Sequence, residues 1–227
     1  MKISGIQKLS MVDFNNHVSC TLFTSGCNFA CPFCHNSGLV YGNEQEISEK
    51  DIFDFLTKRK NILDAVVISG GEPTLHRDLP QFLERIKKLG YLIKLDTNGT
   101  NPEMLKDLFE KGLIDYIAMD IKNSINGYPE TIGKCIAFDK INNSINYIMN
   151  CGIDYEFRTT LVKEFHNIDR IKEIAELIPN AKRYYLQKFI DSGNCISENL
   201  HEVTKDDANK FLKILLEKIP STFLRGY

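Results

Sequence analysis

Short apolar, β-rich runs alternate with longer stretches of helical period from Val18 to about Phe189. This alternation limits the fold most, because repeated βα units build a mainly parallel sheet with right-handed crossovers. Six strands are expected, at about 18–24, 65–69, 92–96, 116–121, 154–162 and 183–189. The intervening helices announce their ends. Ser48 stands as an N-cap before "EKDIFDFL", whose apolar face is Ile52, Phe53, Phe55 and Leu56. "LPQFLERIKKLG" stops at Gly90, and "NPEMLKDLFEKG" opens with Asn101 and Pro102 and stops at Gly112. Later helices are expected at about 136–150, 168–177 and 204–218. A closed eight-unit barrel typically needs about 250 residues. Six units in 227 residues should leave the barrel open, and a large substrate could then reach its interior.

Nothing in the composition contradicts one α/β domain over 1–227, with its core at about 18–189 and a C-terminal helix at about 204–218. Hydrophobic residues make up 43%, and the net charge of -2 leaves no basic surface for nucleic acid. No run approaches the roughly 18 apolar residues of a membrane helix. "MKISGIQKLS" has no signal-peptide core, so a cytoplasmic protein is expected. In that reducing compartment seven cysteines, an odd number, do not read as a disulfide scaffold. Cys20, Cys135, Cys151 and Cys195 are scattered and are expected to be small buried apolar residues.

The other three, Cys27, Cys31 and Cys34 in "SGCNFACPFCHNSG", are spaced C-x3-C-x2-C. A structural zinc site closes with four protein ligands, and this motif has no second pair; His35 adjoins Cys34 and is poorly placed for the same ion. A cluster of four irons held by three thiolates keeps one iron open to an outside ligand. "SGC", "SGGEP", "DTNG" and "MDIK" end four successive expected strands, which is where a parallel barrel collects its chemistry.

These residues resemble the signature of the radical S-adenosylmethionine superfamily. The resemblance implies an open (β/α)6 partial TIM barrel and a 4Fe-4S cluster on Cys27, Cys31 and Cys34. It further implies that S-adenosylmethionine chelates the open iron and is cleaved reductively to a 5'-deoxyadenosyl radical. No catalytic side chain apart from cluster and cofactor is then needed. Cofactor contacts implied by the likeness are Phe33 beside the adenine, Cys34 and His35 through the loop backbone, and Gly70, Gly71 and Glu72 at the amine. Asp96, Thr97, Asp120 and Lys122 follow from "DTNG" and "MDIK", with a monovalent cation near Asp96 and Asp120 and with Lys122 on the cofactor carboxylate. Arg158 and Gln187, on the fifth and sixth expected strands, complete the set. Read as residues alone, "GGE" is also a strand-to-helix turn, "DTNG" an Asx-type turn, and the charges a surface salt bridge.

"CPFCHN", "GIQKLSMVDF", "DTNG" and "MDIK" together are most similar to the activating proteins of glycyl-radical enzymes, in particular that of anaerobic ribonucleoside-triphosphate reductase, from Gly5 to about Phe189. Such a protein takes an electron from flavodoxin or ferredoxin and removes hydrogen from one glycine of a large partner. Relatives commonly continue the early aspartate into a Pro-Gly turn; here Asn15 and Asn16 follow, and asparagine tolerates the left-handed backbone. The four scattered cysteines are too few for an inserted two-cluster domain. A small-molecule enzyme like the deazaguanine-forming synthases, and a zinc or cluster-bearing binding module, remain as alternatives.

Overall fold

The computed structural model describes residues 1–41, 44–191 and 193–227. They form two compact units, one of Met1–Asn28 with Gly38–Ala118 and one of Phe29–Ser37 with Met119–Tyr227.

In the first unit β1 (Ile3–Ser10) runs antiparallel to β2 (Ser19–Thr24), and β3 (Ala65–Gly70) and β4 (Leu92–Thr97) extend the sheet in parallel. A short helix α1 (Ser37–Tyr41) precedes α2 (Glu49–Arg59), α3 (Leu79–Lys88) and α4 (Pro102–Glu110). The expected caps form: Ser48 Oγ accepts from Asp51 N and Asn101 Oδ1 from Met104 N. Ile52 and Leu56 are buried, whereas Phe53 and Phe55 are only half-buried, each lying under an arginine (Arg85 and Arg59). Ala65–Ile68 is buried on both faces, as a parallel strand under helices must be. Phe14, from the β1–β2 loop, packs on Ala65, Val67, Tyr116 and Ala118. Asn16 makes the turn behind it at φ 64°, the left-handed conformation that asparagine was expected to tolerate.

The division between units falls inside β5 (Tyr116–Asp120). In the second unit β6 (Asp154–Leu161), β7 (Tyr184–Lys188) and β8 (Thr222–Arg225) are parallel. Its helices are α5 (Tyr128–Ile132), α6 (Phe138–Asn150), α7 (Ile168–Leu177) and α8 (Lys205–Leu216). Asn167 and Thr204 cap the last two by accepting from Arg170 N and Asp207 N.

The six expected strands appear as β2 to β7, and the class is α/β with mainly parallel strands. Two strands were not foreseen. β1 shifts register twice against β2, between Ile3 and Gly5 and between Gln7 and Ser10, so its residues do not alternate cleanly. β8 is four residues long, too short to show a period.

The scattered cysteines divide. Cys20 is buried as expected, and burial pushes its thiol up to about 12. Cys135 is exposed and Cys151 and Cys195 are half-buried, against expectation, because all three lie outside the strands and core helices. Among the described residues, no helix is long and apolar enough to cross a membrane.

Candidate active site

In the first unit the chemistry gathers beyond the ends of β2, β3 and β4. Gly70 has φ 106°, and a Cβ there would lie 2.4 Å from Thr24 N; on Gly71 it would lie 2.0 Å from Gly26 O. Gly71 N and Glu72 N donate to Thr24 O and Gly26 O, both at 2.9 Å. The glycine pair is therefore required by close packing on the chain's own backbone beside Cys27, not only by a ligand.

Glu72 is fully buried, and its carboxylate is a brace. Oε1 accepts from Thr74 N (3.0 Å), Thr74 Oγ1 (2.6 Å) and Thr97 Oγ1 (2.8 Å), and Oε2 accepts from Asn98 N (2.6 Å). Burial raises its pKa and these four donors oppose the rise. This network joins Glu72 to Thr97 and Asn98, so the ends of β3 and β4 are held together at the carboxylate. Asn98 Nδ2 donates to Asn28 Oδ1 and Asn28 Nδ2 to Thr100 Oγ1, both at 2.8 Å, tying the residue after Cys27 to the "DTNG" loop. Asp96 Oδ2 accepts from Ser69 Oγ at 3.0 Å, with Lys94 Nζ 3.7 Å from its other oxygen.

In the second unit Cys31 and Cys34 lie in a loop pinned by Ala30 N to Ile132 O and closed by Cys34 N to Cys31 O, both 2.9 Å. Cys31 is buried and Cys34 half-exposed, while His35 is exposed. Phe33 is 5% exposed, packed on Phe165 and Phe189 with Lys122 Nζ 5.9 Å above its ring. These ring contacts anchor the loop that carries Cys31 and Cys34.

Asp120 sits between two cations: Lys122 Nζ donates to Oδ2 at 2.8 Å and Arg158 Nε to Oδ1 at 2.9 Å. Burial would raise the Asp120 pKa, but Arg158 and Lys122 outweigh it and hold the carboxyl at about 2. Burial would likewise lower Lys122, yet Asp120 and the charge of Cys31 hold it above its ordinary value. Two side-chain cations thus flank Asp120, one on each carboxylate oxygen. His166, buried, locks the same segment: Nε2 lies 3.0 Å from Lys122 O, and Nδ1 accepts from Val162 N at 3.0 Å. Gln187 pairs with Thr160 and Arg225 on neighbouring strands, and Arg158 with Tyr185.

A family model described as the radical SAM superfamily matches residues 21–178. The chain belongs to the radical SAM superfamily. It is 35% identical over 195 residues, 82% of this chain and 79% of the other, to a Methanocaldococcus jannaschii protein provisionally named as a glycyl-radical enzyme activating enzyme. It is 32% identical over 164 residues, 69% of this chain and 51% of the other, to a Saccharolobus islandicus protein provisionally named as a GTP 3',8-cyclase. Streptococcus suis SuiB, solved with its precursor peptide SuiA, matches with a TM-score of 0.70 at 17% identity, over 91% of this chain and 48% of the other. That likeness shows the fold, the open partial barrel of radical SAM enzymes.

The donor set fits the superfamily's 4Fe-4S cluster and S-adenosylmethionine. Cys27, Cys31 and Cys34 are in no disulfide. Lys122, a side-chain cation, lies close enough to Cys31 for the two to interact electrostatically, which suits a cluster held by thiolates.

Asn28, Thr74, Asn98, Thr100 and His166 were not expected at the site. Only Asn98 gave a signal, as a turn former in "DTNG", where its Oδ1 does accept from Thr100 N. Asp120→Asn is expected to cost about 3 kcal/mol, because two cations lose the half-buried charge that pairs them. At this chain length that lowers Tm by about 10 °C. The Asp120 pKa is depressed, so its stabilisation is present above about pH 4 and lost as pH falls toward 2. Acid titration followed by circular dichroism should show this loss in the wild type and not in the variant.

Proposed function

We propose that this radical SAM enzyme activates a glycyl-radical enzyme, with anaerobic ribonucleoside-triphosphate reductase as the partner and flavodoxin or ferredoxin as the electron donor. The observation that carries the reading is the 35% identity across 82% of the chain to a protein bearing that activity's name, together with "CPFCHN", "DTNG" and "MDIK" in one sequence.

When bound, the cluster and S-adenosylmethionine supply a 5'-deoxyadenosyl radical. Cys27, Cys31 and Cys34 hold the cluster. Cys27 is placed by the Gly70–Gly71 contact and by Asn28, and Cys31 and Cys34 by the anchored Phe33. Lys122 and Arg158, oriented by Asp120, would offer cationic donors to the carboxylate of a bound cofactor. Asp96, which accepts from Ser69, and Gln187, beside Thr160 and Arg225, would add further cofactor contacts. His35, whose side chain is exposed, would contribute its backbone. A docked partner keeps water from the radical and brings the glycine Cα within van der Waals reach.

The test is anaerobic reconstitution with iron and sulfide, then reduction with S-adenosylmethionine and a candidate anaerobic ribonucleoside-triphosphate reductase. A glycine-centred doublet in the electron paramagnetic resonance spectrum is expected. The likeness to a GTP 3',8-cyclase favours a second reading, a small-molecule radical SAM enzyme. GTP in place of the reductase is the comparison arm, and nucleotide turnover without any doublet would select that reading.

A further inference from the structure

The segment after β7 lies against the cysteine loop in the second unit. Ser197 N donates to Pro32 O at 2.9 Å, and Cys195 Sγ lies 3.8 Å from the carbonyl oxygen of Phe33. Phe33 is bonded directly to Cys34. Covalent geometry keeps Cys34 Sγ within about 6 Å of that same oxygen, so the two sulfurs are at most about 10 Å apart. A fourth thiol is thus held beside the ligand loop by two contacts on consecutive loop residues.

Burial distinguishes this pair from Cys31, and position from Cys135 and Cys151. Cys34 and Cys195 are both half-exposed, so a small oxidant reaches either. Cys31 is buried and faces Lys122, Cys135 is exposed in the turn before α6, and Cys151 donates to Ile148 O at the C-terminus of α6. Residues 193–200 have bends but no helix or strand. They can therefore make the backbone shift needed to bring the two Cα atoms to the roughly 5.5–6 Å of a disulfide.

We infer that Cys34 and Cys195 form a reversible disulfide when the protein carries no cluster, and that this bond shields the Cys34 thiol from irreversible oxidation. The oxidant is a low-molecular-weight disulfide, RSSR. The Cys195 thiolate attacks one of its sulfurs, forming a mixed disulfide and releasing one RS⁻. The Cys34 thiolate then attacks Cys195 Sγ, forming the internal bond and releasing the second RS⁻. The two protein thiols lose two electrons and two protons, and RSSR is reduced to two thiols. A cluster withdraws Cys34 from this exchange, and a reductant returns it for cluster assembly. The inference concerns the cluster-free chain and stands apart from which substrate the loaded enzyme takes.

The test uses full-length, cluster-free protein treated with oxidised glutathione, alkylated with N-ethylmaleimide, digested and analysed by mass spectrometry. The 34–195 linkage is expected to exceed any other internal pair by about fivefold, to disappear on reduction, and to be blocked by prior cluster loading. In Cys195→Ser, whose folding is checked by thermal melting, Cys34 should instead carry glutathione. Linkages confined to Cys27, Cys31 and Cys34, or a 34–195 yield no higher than that of pairs with Cys135, would overturn the inference.

Discussion

Cys34→Ala is expected to abolish reductive cleavage of S-adenosylmethionine, leaving 5'-deoxyadenosine at the level of cluster-free protein. Three thiolates are the least that hold a four-iron cluster with one open iron, and the motif has no spare. Cys27→Ala and Cys31→Ala should do the same, with Cys31→Ala also lowering the Lys122 pKa by removing a negative neighbour. Cys20→Ala and Cys151→Ala should retain iron, since Cys20 is enclosed in β2 and Cys151 ends α6. Iron and sulfide content of each reconstituted variant, measured beside cleavage, separates loss of the cluster from loss of the fold. Full iron content with active cleavage in Cys34→Ala would remove Cys34 from the ligand set.

Glu72→Ala should be the most destabilising single change at the site. It strips the acceptor from Asn98 N and Thr74 N, both in buried residues, and from two hydroxyls. Each orphaned buried donor costs about 1–3 kcal/mol, so the total is about 3–5 kcal/mol. At this chain length the melting temperature falls by roughly 10–15 °C. Glu72→Gln keeps one acceptor oxygen but points an NH₂ at a donor on the other side, and it should lose about half as much. If Glu72 were instead a direct cofactor contact with no bracing role, both variants would melt with the wild type and only cofactor affinity would change. Thermal melting and cofactor titration on the same samples distinguish the two.

Much of this was legible in the sequence because βα units write their period locally. Ala65–Ile68 and Ile168–Leu177 carry their own pattern and caps, and they appear where expected. The cysteine spacing and the strand-end motifs were equally local. What escaped depends on partners far along the chain. Nothing near Glu72 announces that Thr97 and Asn98 will close on its carboxylate, and Phe33 gives no sign that Phe165 and Phe189 will enclose it. The pairing of Asp120 with both Lys122 and Arg158 likewise joins two strands 38 residues apart. The division into two compact units was also hidden, since it falls inside β5 and shows no change of composition.

The most direct measurement follows hydrogen itself. The candidate reductase is produced with deuterated glycine, then incubated anaerobically with reconstituted enzyme, reductant and S-adenosylmethionine. Deuterium should appear in 5'-deoxyadenosine, in step with growth of the glycine radical signal. Product free of deuterium, formed at the same rate with or without the reductase, would contradict activation of a glycyl-radical partner.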